Sequence, residues 1–153
     1  MFFKCAKNMC ISLYKCAREN CKLLQKICAL LGGRAAELEF GYGLTPGAAS
    51  DLRTATELAT KMVCEFGMYE DEVGLAVILQ ENLHKNENVQ RQINQILTEQ
   101  LKLAKMIIRE HKDSIVNLVD VVMTSKQKYL TQKELSEICQ KNITVKKSPH
   151  THH

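Results

Sequence analysis

A chain of 153 residues amounts to one domain and is long enough to bury a core. It is 45% hydrophobic and 25% charged with a formal charge of +4, and its lysines and arginines lie among glutamates and aspartates, which argues against a nucleic-acid surface. Charges interrupt every apolar run well short of the ~20 residues that a membrane-spanning helix needs.

Residues 2–31 carry helical periodicity, with Phe2, Ala6, Met9, Leu13, Cys16, Ala17, Leu24, Ile27 and Leu31 at three- and four-residue spacings. Lys4, Lys7, Lys15, Arg18, Lys22 and Lys26 make the segment basic, which also suits a membrane-surface or targeting segment, although Glu19 interrupts it. Cys5, Cys10, Cys16, Cys21 and Cys28 lack the i,i+3 or i,i+4 spacing of a zinc site on a helix and read as small buried side chains. The chain has seven cysteines in all and no CxxC pair. That pattern points to reduced thiols in the cytoplasm or another reducing compartment rather than to a disulfide framework.

Gly32 and Gly33 follow, and each weakens a helix interior by about 0.8–1 kcal/mol relative to alanine. Two readings stand. Either another helix passes close to this backbone, with Ala29, Ala35 and Ala36 extending the small surface, or the helix breaks here. Residues 41–50 read as a loop with a Thr45-Pro46-Gly47 turn. Ser50 and Asp51 open a helix whose apolar face is Leu52, Ala55, Ala59, Met62, Val63 and Phe66, and Gly67 ends it. Asp51 reads there as a carboxylate at a helix start, satisfying free amides and the dipole.

Residues 70–80 begin acidic and end apolar, and residues 81–87 form a polar loop holding His84. A long amphipathic helix is expected over 88–111. It places Val89, Ile93, Ile96, Leu97, Ala104, Ile107, Ile108 and His111 on one face, with glutamines and lysines opposite. Asp113 or Ser114 caps the next helix, which carries Ile115, Leu118, Val119, Val122 and Met123. Thr131 to Glu134 form a capping box before a last helix with Leu135, Ile138 and Cys139 facing inward. The expected fold is all-α, a compact bundle of about five helices over residues 1–142, with a flexible polar tail over 143–153. His150, His152 and His153 in that tail make no defined metal site.

Taken in order, the fragments GGRAAE, FG, TPGAASDL, ATELATKMV and FGM make the segment around 30–68 similar to the peptidase domain of the FtsH-type ATP-dependent zinc metalloproteases. The resemblance is good over 22–68 and looser to about 139. It implies a continuous, closely packed helix through Gly32 and Gly33, and an LGPV-like extended piece at Gly74 to Val77. It also implies zinc as the family's cofactor and proteolysis of misfolded and membrane proteins as its activity. The family's third zinc ligand is an aspartate after the TGAS-type turn, which falls on Asp51, with Gly47 and Ser50 shaping its approach. The segment reads AAELEFG, one residue shorter than the family's AAEELxFG, which shifts the register into Phe40 and Gly41 and leaves the carry-over of Glu37 open.

Two further motifs of such enzymes are missing from the sequence: the HExxH helix, whose histidines bind zinc and whose glutamate acts as base, and the GxxxxGK[ST] phosphate loop. The expected reading is therefore a partial or degenerate FtsH-like zinc metallopeptidase domain, inactive as an isolated chain, binding no zinc alone and having no catalytic residues of its own. The alternative is a non-catalytic helical interaction module. A cysteine enzyme ranks last, since no Cys–His pairing is visible. The implied partners are family proteases or further copies of this chain, in association with a membrane-bound protease complex.

Overall fold

A computed structural model describes residues 19–41, 43–74 and 86–124. Five α-helices and no strand occur among them, so the fold is all-α. They are α1 (Glu19–Phe40), α2 (Ala49–Cys64), the single turn α3 (Glu70–Val73), α4 (Glu87–Glu110) and α5 (Lys112–Thr124), with a 3-10 turn at Pro46–Ala48 ahead of α2. The expected last helix over 131–139, the basic start before Glu19 and the polar tail lie outside the described residues.

Helix α1 is central. It packs most extensively on α4 and next on α2, which also meets α4. One apolar cluster joins Ile27, Leu30 and Leu31 of α1 to Ala55, Ala59, Met62, Val63 and Cys64 of α2 and Val89, Ile93 and Ile96 of α4. A second sits toward the other end of α4, where Cys28, Ala35 and Ala36 meet Ala104, Ile108 and, from α5, Ile115. Alanines on both sides of this second contact leave little side-chain bulk to hold the two backbones apart. Helix α1 runs unbroken through Gly32 and Gly33, and both are buried. Of the two readings of this glycine pair, the continuous and closely packed helix is the one observed.

Helix α1 ends where Gly41 takes a left-handed φ of 71° and its N–H bonds the Glu37 carbonyl at 3.1 Å. Gly67, at φ 60°, closes α2 in the same way, and Met68 N–H reaches back to the Met62 carbonyl at 3.3 Å. Because α2 stops at Cys64, Phe66 lies beyond the helix and is 49% exposed rather than part of the apolar face. Leu52 has the right angle for that face but stands in the first turn and is 37% exposed. Met123 is likewise at the last turn of α5, and solvent reaches it.

Helix α4 begins one residue earlier than expected, because the Asn86 side chain accepts a hydrogen bond from Val89 N–H at 3.3 Å. Gln92 and Gln100 are buried on its inner face, not on the polar face where the sequence reading put the glutamines. The Gln100 side-chain oxygen finds no hydrogen-bond partner among the described residues. His111 ends α4, its N–H bonding the Ile107 carbonyl at 3.1 Å, and its own carbonyl accepts from Ile115 N–H at 3.0 Å. Helix α5 therefore starts at Lys112, which puts Asp113 and Ser114 inside its first turn rather than in front of it as caps. The short helix at Glu70–Val73 replaces what read as an acidic lead into an extended piece, and Gly74 ends it at φ 90°. The rest of that piece lies outside the described residues.

At the far end of α1, Glu39 takes a two-pronged grip on Arg109 of α4 at 3.0 Å and 3.0 Å, with Lys105 3.4 Å away. The Arg109 hydrogen bonds outweigh partial burial and hold the Glu39 carboxyl below its ordinary range, with the charges of Arg109 and Lys105 adding to the effect. A carboxylate held down in the fold stabilises the fold above its unfolded pKa, and that contribution is lost as pH falls through the lower folded value. Glu39→Gln is therefore expected to lower the urea midpoint at neutral pH. The gap to the parent should close as pH drops below the usual glutamate range. Arg109 is exposed, so the gap should also shrink with added salt.

Candidate functional site

The segment singled out by the sequence is built from the end of α1, the loop behind it and the first turn of α2. Pro46 opens the 3-10 turn at a position that needs no N–H donor. The Thr45 hydroxyl accepts from Gly47 N–H at 3.3 Å, and Ala49 N–H bonds the Pro46 carbonyl. This turn runs directly into α2, so the helix has Ala48 at its N-cap and no side-chain cap there. Asp51 is consequently the third residue of the helix, half-buried, in the turn where an acidic side chain meets the positive end of the dipole. Ser50 stands beside it, exposed, and its carbonyl accepts from the Thr54 hydroxyl at 3.1 Å.

Glu37 is the residue that sequence reasoning left without a role. It is only 1% exposed. One carboxylate oxygen accepts from Arg34 Nη1 at 2.9 Å, and the other accepts from both the Thr45 backbone N–H, at 3.2 Å, and the Thr45 hydroxyl. A signal for it existed. Glu37 lies seven residues after Leu30 and four after Gly33, which places it on the inward face of α1.

A zinc site requires at least three protein ligands. Among the described residues, no three histidine, cysteine, aspartate or glutamate side chains come together to hold a metal. The surroundings of Asp51 described here do not by themselves fit zinc. His111 lies at the α4–α5 junction, and His84, His150, His152 and His153 fall outside the described residues.

Cys28 and Cys64 are buried and unpaired. Burial pushes the Cys28 thiol up to about 11, and burial together with the charge of Glu65 raises that of Cys64. Both are protonated at neutral pH and make poor nucleophiles. They fill space in the two apolar clusters, as the sequence reading had it for Cys28. The remaining cysteine side chains lie outside the described residues.

Known proteins are similar to this sequence over much of its length. The profile of peptidase family M41 matches residues 12–138. ATP-dependent zinc metalloprotease FtsH of Thermotoga maritima is 35% identical over 117 residues, covering 67% of this chain and 19% of that protein. FtsH 2 of a Thermoanaerobacter species is 32% identical over 124 residues, covering 81% of this chain and 24% of that protein. FtsH of Pseudothermotoga lettingae is 36% identical over 132 residues, covering 76% and 21%. The chain thus spans about a fifth of the length of these relatives.

Proposed function

The chain belongs to peptidase family M41, and on that premise we propose that it is a scaffold portion of an FtsH-like zinc peptidase domain that brings one metal ligand and no hydrolytic activity of its own. Asp51 is that ligand. It sits in the first turn of α2, immediately behind a turn that carries the family fragment TPGAASDL. The observation that carries the reading is the donor set. The sequence contains no HExxH, and among the described residues no group of three histidine, cysteine, aspartate or glutamate side chains that could hold a metal forms at Asp51 or elsewhere. In a complete site the missing zinc would activate water for peptide hydrolysis. This chain's part would be to hold one carboxylate in place on a rigid helix, with the remaining ligands supplied by other polypeptide.

A second reading, a non-catalytic helical interaction module, draws on helix α5. Val116 and Met123 are 41% and 66% exposed and lie seven residues apart, on one face. Apolar residues aligned on a surface suit a protein partner, either a family protease or a second copy.

The experiment is direct. The purified chain is mixed with zinc and casein, and metal content is measured on a variant with His150, His152 and His153 changed to alanine. No chelator-sensitive cleavage and well under one zinc per chain are expected. Reproducible cleavage abolished by a chelator, or a tight single zinc lost on Asp51→Ala, would show that the chain carries a complete site.

A further inference from the structure

We propose that Glu37 is a positioning residue for Asp51. The proposal rests on Asp51 being a metal ligand, and it assigns the buried carboxylate the task of fixing where α2 begins. Removing a carboxylate from water is costly unless its oxygens are bonded. Here they are bonded, from within α1 by Arg34 and from across the loop by Thr45. If the only need were to close the loop between α1 and α2, an apolar contact would do so without that cost. The carboxylate adds geometry.

One of its oxygens takes both the backbone N–H and the side-chain hydroxyl of Thr45. Two bonds to one residue fix its backbone and its χ1 together. Because the hydroxyl donates to Glu37, its lone pairs are left to face the Gly47 N–H, which bonds it at 3.3 Å. The turn is tight around that oxygen, since a Cβ on Gly47 would stand only 3.3 Å from it. Pro46 then bonds Ala49, the first residue of α2, and Asp51 follows two residues later. A continuous series of hydrogen bonds therefore leads from a buried group on the central helix to the turn carrying Asp51.

The test is amide exchange by NMR, together with the orientation of the Asp51 N–H bond relative to α1 from residual dipolar couplings. Thr45→Val keeps the shape and removes the hydroxyl. It should speed exchange at Gly47 and Ala49 by about tenfold, the loss of roughly one net hydrogen bond, and should reorient the Asp51 N–H. Thr45→Ser restores the hydroxyl and should match the parent. Glu37→Gln should loosen the same amides, and if that variant fails to fold, the Thr45 pair decides alone. Ala104, inside α4, should keep parental exchange in every folded variant. The proposal is overturned if Thr45→Val leaves Gly47, Ala49 and Asp51 as in the parent. It is equally overturned if exchange rises uniformly and includes Ala104, which would mean a general loss of stability. No metal enters this experiment, so its failure is distinct from a failure of Asp51 as a ligand, which the metal analysis reads.

Discussion

Replacing Ile108 by alanine is expected to destabilise the protein by about 2–5 kcal/mol, through lost apolar transfer and the cavity left behind. Ile108 is fully buried where α1, α4 and α5 meet, among Cys28, Ala35, Ala36, Ala104 and Ile115. The spread in such costs reflects how far a site can collapse around the missing atoms. Among the described residues, three of the five other buried members of this cluster are alanines, with no rotamers that could swing into the void. Cys28 adds only one heavy atom more. Among the described residues, relaxation would have to come from Ile115 or from the partly buried Phe40, Leu101, Leu103 and Ile107 at the margin. The upper half of the range is therefore expected. Urea unfolding with an unchanged slope measures it, and the companion Met106→Ala, at a side chain 64% exposed, should stay within about 0.5 kcal/mol of the parent. Similar midpoints for the two variants would mean that the second cluster is not a packed core.

The inward faces of the helices were legible because their spacing is regular. Ala55, Ala59, Met62 and Val63 on α2, and Val89, Ile93, Ile96, Ala104 and Ile108 on α4, are buried as the periodicity required. The departures lie mainly at helix ends and at polar residues. Phe66 and Met123 extended a stripe to the ends of the described helices, and for Phe66 it is the glycine turn at Gly67 that takes the chain out of the covered face. Gln92 and Gln100 occupy core positions of α4 by spacing, but residue type outweighed position in the reading. Glu37 was passed over because its segment is one residue shorter than the family pattern, although its spacing puts it on the inward face. Periodicity assigns a face to a residue; it does not say that a polar side chain on that face has found partners eight residues down the chain. Asp51 was legible as a helix-start carboxylate, and the helix does begin within two residues of it. The 3-10 turn that delivers the chain to that start was visible only as a proline–glycine turn. Hydrogen bonds from Thr45, rather than propensity, shape it.

Gly33→Leu is expected to destabilise by about 1–3 kcal/mol, the usual result of forcing added bulk into a packed site. Two effects oppose each other at this position. Leucine is a far better helix former than glycine, by most of the 0.8–1 kcal/mol that separates glycine from alanine. Were the backbone exposed, that gain would decide the sign, and the variant would be more stable than the parent. Gly33 is instead buried in the middle of the central helix, with Leu30 and Leu31 before it and Ala35 and Ala36 after it all in the core. Four added carbons need room on a helix whose small residues let its neighbours come close. Making it requires whatever is packed against this buried position to move. Gly33→Ala separates the two effects, since it takes nearly the full propensity gain with a single added carbon. If the approach is close, alanine should fall between parent and leucine in urea midpoint. If both variants match or exceed the parent, the glycine pair is not a packing contact, and the small residues of α1 need another explanation.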